Sequence, residues 1–254
     1  MKAAAGVFIY DSRHVLLIAA IRSGITYVAV SLYVLVTGLL GMLIAMTTGW
    51  TGILYIFGHG GVRLGCLLAG IRFRVAGKEH VPDRAAVFCA NHQSNVDPPL
   101  LFTVLHPRLH IVYKHEIDQI PVLARAFRMG GFVPIDRHNK ESALASIEKG
   151  AESLRAGNSF LIFPEGTRSK TDEMLPFKKG GFRMAIKAGA PIIPVAISGG
   201  RAAMQRGSAI VRPVTFTVRI GEPIETRDLK AEDRDALIAR VRQEIATLVA
   251  EGPL

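Results

Sequence analysis

The chain has 254 residues, enough for one large domain with an appendage, and its 31 Lys and Arg outnumber its 21 Asp and Glu to give a net charge of +10. This excess of positive charge favours an acidic partner, such as nucleic acid, an anionic membrane surface or a phosphorylated substrate. Because the sequence has few aromatic residues, no nucleic-acid-binding signature and a mean hydropathy of +0.29, it favours a membrane, and no nucleic-acid partner is expected.

The two cysteines, Cys66 and Cys89, both lie in apolar surroundings, and they form neither a CxxC motif nor a disulfide framework. This pattern is typical of a reducing compartment, where such thiols serve as small buried hydrophobic groups. A catalytic cysteine is therefore not expected.

A stretch free of Asp, Glu, Lys and Arg runs from Ser23 to Val62. Its first part, GITYVAVSLYVLVTGLLGMLIAM, is long enough to cross a bilayer as a helix. The motif TTGWTG then predicts a turn, with Trp50 suited to the membrane interface. The next apolar stretch contains His59 and Arg63, which is typical of an amphipathic or half-inserted helix rather than a clean span. The sequence therefore predicts an N-terminal membrane-associated helical hairpin.

Basic residues flank this hairpin, with Arg22 before it and Arg72 and Arg74 after it. The positive-inside bias places both ends in the cytoplasm, so we expect localisation to the cell inner membrane with the rest of the chain on its cytoplasmic side. Hydropathy alone leaves open whether the hairpin spans the bilayer or only dips into it. It also leaves a soluble hairpin packed on the following domain as the alternative. Residues 1–70 are assigned to the hairpin and residues 71–254 to a second domain.

Beyond Gly70, short runs of Val, Ile and Phe alternate with helical patterns. The runs predicted as strands are RFRVAG, AAVFCA, LHIVYK, GFVPI, SFLIFP, APIIPVAI and VTFTVRIGEP. The predicted helices are PLLFTVL and the segments near 120–129, 140–155, 181–188 and 231–250. Alternating strands and helices predict the α/β class, with a largely parallel mixed sheet flanked by helices.

The stretch NHQSNVD, residues 91–97, follows the predicted strand AAVFCA and precedes two prolines. The prolines favour a new helix with Asp97 as its N-cap, so the loop can fold back until the carboxylate reaches the ring of His92. An aspartate on one ring nitrogen fixes the tautomer and raises the basicity of the other nitrogen, as a general base requires. An N-cap aspartate beside an unrelated loop histidine explains the pattern equally well.

A second stretch, FPEGTRS, follows the predicted strand SFLI. Gly166 allows close approach of a ligand to the backbone, Thr167 offers a hydroxyl, and Arg168 offers a forked cation suited to phosphate. Glu165 can hold an arginine or accept a hydrogen bond from a substrate hydroxyl. The loop therefore fits a phosphorylated substrate, although an ordinary turn often has this composition.

Together, NHQSNVD and FPEGTRS resemble the glycerolipid acyltransferase family, whose members share an NHxSxxD block and an FPEGTRS block. The resemblance covers about 70–223 and is nearest to the lysophosphatidate acyltransferase branch. GGFVPIDR resembles the family's second block, and IIPVAI resembles the fourth. The resemblance implies transfer of a fatty acyl group from acyl-CoA or acyl-carrier protein to a lysophospholipid hydroxyl in phospholipid biosynthesis. The expected product is phosphatidic acid, with residues 71–254 as the acyltransferase domain.

The resemblance also implies roles for individual residues. His92 is expected to be the general base and Asp97 its orienter. The residues expected to bind the substrate phosphate are Arg137, Arg168 and Lys114. Those expected to bind the substrate otherwise or to shape the site are Glu165, Gly166, Thr167, Ser94 and Pro194. No metal and no cofactor beyond the acyl donor is expected, and the expected partners are membrane lipid, lysophosphatidate and the donor.

Three other functions fit the same sequence. The first is acyl transfer to another acceptor, such as a lyso-ornithine lipid or another lysophospholipid. The second is a metal-dependent phosphohydrolase with His92 and Asp97 as ligands. The third is a lipid-binding membrane protein without enzymatic activity.

Overall fold

The fold begins with two long apolar helices. In the computed structural model, which describes residues 13–135, 140–169, 171 and 173–254, helix α1 (Arg13–Thr48) and helix α2 (Gly52–Ala69) form a hairpin. Residues 49–51 connect them, where the turn was predicted. Helix α1 has 36 residues and so rises about 54 Å, which exceeds the roughly 30 Å of a bilayer's hydrocarbon core. Both helices are long and apolar enough, by length and composition, to cross a membrane.

The outer side of α1 is apolar and uncovered. Only 17% of its most hydrophobic window is buried, and Val28, Leu32 and Val36 are each more than half exposed. Soluble proteins rarely leave such a continuous apolar patch in water. The exposed surface therefore indicates membrane association and argues against a soluble hairpin packed fully on the domain.

A seven-stranded sheet with flanking helices follows the hairpin. The strands are β1 (Ile71–Ala76), β2 (Val87–Ala90), β3 (Leu109–Lys114), β4 (Val133–Ile135), β5 (Ser159–Ile162), β6 (Ile192–Ser198) and β7 (Val214–Ile220). The helices are α3 (Asp97–Val104), α4 (Pro121–Met129), α5 (Lys140–Arg155), α6 (Gly180–Ala188), α7 (Gly200–Ala203) and α8 (Arg234–Ala250). All seven predicted strands are present, and α7 is the helix that the sequence pattern missed.

The strand order is β1-β7-β6-β2-β5-β3-β4. Five strands from β6 to β4 run parallel to their neighbours, whereas β7 pairs antiparallel with β6 and parallel with β1. The predicted α/β fold with a largely parallel mixed sheet is therefore confirmed. Central strands β2 and β5 are buried at every residue, as expected for strands covered on both faces.

The hairpin is attached to the sheet domain by specific hydrogen bonds. The Ser23 hydroxyl accepts from the amide of Val211 at 2.8 Å, and the Tyr27 hydroxyl donates to the carbonyl of Ala209 at 2.7 Å. From α2, the Tyr55 hydroxyl donates to the carbonyl of Gly130 at 2.7 Å. These contacts give the hairpin a defined position over the domain, so its inner face can form one wall of a cavity.

Candidate active site

The candidate site lies where β2, β5 and β6 end. Because these three strands are parallel neighbours, their carboxyl ends share one edge of the sheet, which is where α/β proteins place their ligands. NHQSNVD follows β2, and FPEGTRS follows β5. Asn91 ties the first of these loops to β6, since its side-chain amide both donates to and accepts from the backbone of Ile197, at 3.1 and 2.8 Å. Asn91 had no role predicted from the sequence.

His92 and Asp97 are in contact. The distance between His92 Nδ1 and Asp97 Oδ2 is 2.9 Å, and the Asp97 side chain is fully buried while that of His92 is 15% exposed. Because a carboxylate accepts hydrogen bonds, the contact favours the tautomer that carries its proton on Nδ1, in which Nε2 is the nitrogen able to accept a proton. The ring also stacks on Phe163, with centroids 4.2 Å apart, which restricts its rotation. The arrangement can act as a general base with an orienting carboxylate.

The predicted N-cap role of Asp97 is wrong. Helix α3 begins at Asp97 itself, and no side chain caps it. Oδ2 instead accepts from the amides of Gln93 and Ser94, both at 2.6 Å, inside the preceding loop. The carboxylate therefore holds the tight loop around itself, and the five-residue separation from His92 is the length of that loop.

Helix α7 closes the other side of this loop. A methyl group built on Gly200 would overlap Asp97 Oδ1 and would lie 3.2 Å from Asp97 Cγ. Only a residue without a side chain therefore fits against the carboxylate. The Ser94 hydroxyl, fully buried, donates to the carbonyl of Met204 at 2.8 Å, just beyond α7. This contact places Ser94 where a loop-shaping hydroxyl would lie, and the role of Gly200 had no signal in the sequence.

Glu165 joins the two motifs. Its Oε1 accepts from the amide of His92 and its Oε2 from the amide of Leu175, both at 2.8 Å. The residue is only 3% exposed. Both oxygens accept from backbone amides, which fits the predicted site-shaping role, whereas the predicted contact of Glu165 with an arginine or a substrate hydroxyl stays a prediction. A second link runs from the amide of Ser169 to the carbonyl of His92, at 3.0 Å.

A large cavity of about 1580 Å³ opens beside His92. It extends from the two motifs to the inner faces of α1 and α2. Its wall on the hairpin side is formed by small or apolar residues, among them Val30, Val34, Gly58, Gly61 and Gly65. The cavity wall thus carries His92 and other polar groups in one part and is apolar over most of the rest. Such a wall suits a ligand with a long hydrocarbon chain.

Among the described residues, two cations lie at the polar part of this wall. Arg168 and Lys178 both line the cavity, as do Gly166 and Thr167. Gly166 adopts a φ of 71°, and a methyl group there would lie 3.4 Å from Lys178 Cγ, so the lysine stem packs against the glycine. Arg168 was predicted from the sequence, whereas Lys178, which lies ten residues further along the chain, was not. The repeated KK of PFKKGG was its only signal.

Two arginines that follow β6 bind the backbone at the end of FPEGTRS and just after it. Arg206 donates to the carbonyl of Arg168 at 3.2 Å, and Arg201 donates to the carbonyl of Thr171. Both guanidinium groups therefore bind backbone of the site loop. Their neighbour Arg212 donates its backbone amide to the carbonyl of Ala203 at 2.8 Å.

Three predicted site residues remain, and two of them fall wholly or partly outside the described part of the structure. Arg137 lies outside the described residues. Lys114 ends β3, where its backbone pairs with Ile135, and its side chain also lies outside the described part of the structure. Pro194 is buried in β6 opposite Cys89, and it is absent from the wall that the described residues form around the cavity.

The two thiols are buried, as predicted. Burial raises the pKa of the Cys89 thiol far above its usual range, and the nearby Glu165 carboxylate raises it further. The reactive thiolate form is therefore strongly disfavoured at neutral pH.

Comparison with known proteins gives the family. A family model described as Acyltransferase matches residues 72–198. The chain is 35% identical over 178 residues to a 1-acyl-sn-glycerol-3-phosphate acyltransferase of Cocos nucifera, covering 70% of this chain and 58% of that protein. It is 32% identical over 186 residues to the alpha form of Bos taurus, covering 72% of this chain and 65% of that protein.

The fold has a solved counterpart. The crystal structure of a 1-acyl-sn-glycerophosphate acyltransferase from Thermotoga maritima superposes with a TM-score of 0.79 at 23% identity, covering 93% of this chain and 97% of that one. At that identity the likeness concerns the fold. The curated relatives have a higher sequence identity to this chain than the solved structure has. The chain spans less than two thirds of the length of these relatives. With the family model matched over both motifs, the chain belongs to the acyltransferase family.

Proposed function

We propose that this protein transfers a fatty acyl group from acyl-CoA or acyl-carrier protein to the sn-2 hydroxyl of 1-acyl-glycerol 3-phosphate and so forms phosphatidic acid. One observation carries the proposal: His92, paired with the fully buried Asp97, lies in the wall of a large apolar cavity that Arg168 and Lys178 also line. The names of the curated relatives point to the same substrate.

The chemistry needs a single base. His92 Nε2 takes the proton of the acceptor hydroxyl as its oxygen attacks the thioester carbonyl carbon. The carbon–sulfur bond then breaks, the acyl group stays on the acceptor oxygen, and the histidine proton passes to the leaving thiolate. Asp97 holds the ring in the required tautomer and stabilises its charged form. Binding both substrates in one cavity makes the attack effectively intramolecular.

The rest of the site divides between the two substrates. The apolar wall made by the hairpin accommodates acyl chains, while Arg168 and Lys178 pair with the phosphate, together with Arg137 and Lys114 as the family resemblance implies. The basic charge and the apolar hairpin would hold the enzyme at an anionic membrane, where its acceptor is dissolved. The proposed location is the inner membrane, with the sheet domain on the cytoplasmic side.

The direct test is an acyl-transfer assay with the purified protein, radiolabelled lysophosphatidate and a panel of acyl-CoA and acyl-carrier-protein donors. We expect labelled phosphatidic acid, with turnover unchanged by EDTA. A folded protein that forms no product with any donor would refute the proposal. Preferential turnover of lyso-ornithine lipid would replace the acceptor, and release of inorganic phosphate that stops in EDTA would favour the metal-dependent phosphohydrolase.

Removing either member of the pair should stop catalysis without unfolding the protein. His92→Ala and Asp97→Asn are each expected to lower kcat on the order of 10²-fold or more, the usual contribution of a general base and its support. Initial rates at saturating substrate, with circular dichroism as the check on folding, measure this. Near-native kcat in a folded His92→Ala protein would exclude the assignment.

The two cations of the wall should act on acceptor binding. Arg168→Ala and Lys178→Ala are each expected to raise KM for lysophosphatidate roughly tenfold, since a charge-assisted hydrogen bond contributes about 1.5–3 kcal/mol. Lys179→Ala is the matched control, because that neighbouring lysine pairs with Asp235 on α8 at 3.3 Å. The effect should vanish for a monoacylglycerol acceptor, and an equal effect there would contradict phosphate binding.

A side chain at position 200 should displace Asp97. Gly200→Ala is expected to lower kcat on the order of 10²-fold, because the added methyl group forces the carboxylate away from His92. The double variant with Asp97→Asn should then lose little more than either single variant, since both changes break one interaction. Ala202→Ser, on the exposed side of the same short helix, is the control. Additive losses in the double variant would show that Gly200 acts elsewhere.

A further inference from the structure

The segment Met174–Lys178 forms part of the cavity wall without belonging to a helix or a strand. Leu175, Pro176 and Lys178 all line the cavity. Two bonds tie the segment to FPEGTRS: the Leu175 amide donates to Glu165 Oε2 at 2.8 Å, and the Lys178 amide donates to the carbonyl of Pro164 at 2.6 Å. Because no ladder of backbone hydrogen bonds holds this segment, its position depends on such individual contacts.

Arg242, on the C-terminal helix α8, binds the backbone of this segment. Arg242 donates from Nη1 to the carbonyl of Leu175 at 2.6 Å and from Nη2 to the carbonyl of Met174 at 2.8 Å. Its guanidinium carbon also lies 5.4 Å from the ring centroid of Phe177. The forked group thus grips two consecutive carbonyls and an aromatic face, a geometry that a lysine cannot reproduce in full.

Helix α8 gives this arginine a rigid base. Leu237, Val241 and Ile245 are buried against the sheet domain, so the helix is packed along the face next to Arg242. Arg242 is half-buried, whereas Arg240, two residues earlier on the same helix, is exposed. The helix therefore offers one arginine directed at the site segment and one that serves as a natural control.

A short chain of contacts connects Arg242 to the base. The carbonyl of Leu175 accepts from Arg242, its amide donates to Glu165, and Glu165 accepts from the amide of His92. If the segment moved, Glu165 would keep a buried carboxylate oxygen without its donor, which is costly enough to disturb the loop that carries His92. The same movement would carry Lys178 away from the cavity.

We propose that Arg242 is a positioning residue for acyl transfer: by clamping the carbonyls of Met174 and Leu175, it holds Lys178 at the cavity and the Glu165 bridge beneath His92. The inference rests on the proposed function of the site. It adds to the reaction a residue that lies beyond the family-matched region 72–198, on a helix that carries no motif. Arg242 acts only through the segment that it holds.

The test compares three variants of the 254-residue chain. Arg242→Met keeps a long apolar stem but removes both donors, and we expect kcat/KM for lysophosphatidate to fall roughly tenfold or more through both a lower kcat and a higher KM. Arg242→Lys keeps the charge and one donor, and should recover part of the loss. Arg240→Met should match the wild type. Wild-type kcat and KM in Arg242→Met would overturn the proposal.

Hydrogen–deuterium exchange gives a readout that does not depend on activity. In Arg242→Met, exchange should rise in peptides covering 173–178, including the Leu175 amide, while peptides from β2 and β6 stay protected. Faster exchange throughout the molecule would overturn the positioning role in favour of general stabilisation. A wild-type protein that transfers no acyl group would refute the proposed function, and unchanged exchange at 173–178 would refute the clamp in either case.

Discussion

The buried carboxylate of Asp97 sets the conditions that the rest of the site has to meet. A carboxylate without solvent needs donors, and Asp97 Oδ2 finds them in the ring of His92 and in two loop amides. Those three contacts define the loop conformation, and with it the tautomer of the histidine. The remaining oxygen packs against Gly200, so the start of α7 must lack a side chain. A single buried charge thus links β2, α3 and α7.

Glu165 repeats this logic between the two motifs. Its carboxylate is nearly as buried, and it is satisfied by one amide from the histidine loop and one from the segment before α6. Neither motif can therefore shift without leaving a buried acceptor unpaired. This explains in physical terms why FPEGTRS needs its acid: the residue serves as a brace between loops, and the cations beside it are left to face the cavity.

The elements of the fold were predictable because their signals are local. Runs of Val, Ile and Phe mark all seven strands, and the apolar faces of α5 and α8 mark those helices. The strand order is not local, since β1 reaches β7 and β2 lies between β5 and β6, far from it in sequence. Helix α7 was not predicted, because its four residues are too few to show a helical periodicity of apolar side chains. The reversed direction of β1 and β7 likewise depends on tertiary packing.

The site divides in the same way. The contact between His92 and Asp97 was foreseeable, because the loop between them can fold back. The hydrogen bonds from Asp97 to the loop amides were not foreseeable, because the same sequence is equally typical of an N-cap aspartate. The backbone amides that Glu165 binds were not foreseeable, because no sequence pattern reports such contacts. Gly200 contacts the Asp97 carboxylate, and Lys178 lines the cavity beside Arg168. Folding brings these residues together from distant parts of the sequence, so no local pattern predicts their contacts.

The hairpin shows why hydropathy alone left spanning and dipping unresolved. Helix α1 is apolar on its outer side, where Val28 and Leu32 are exposed, and also on its inner side, where Val30 and Val34 line the cavity. The two sides are apolar for different reasons, one facing a membrane and the other facing a cavity suited to hydrocarbon. The hydropathy of the sequence averages over both sides of the helix, so it does not distinguish residues that line the cavity from residues that face the membrane. The fold separates them, because only the outer side can report how deeply the helix enters the bilayer.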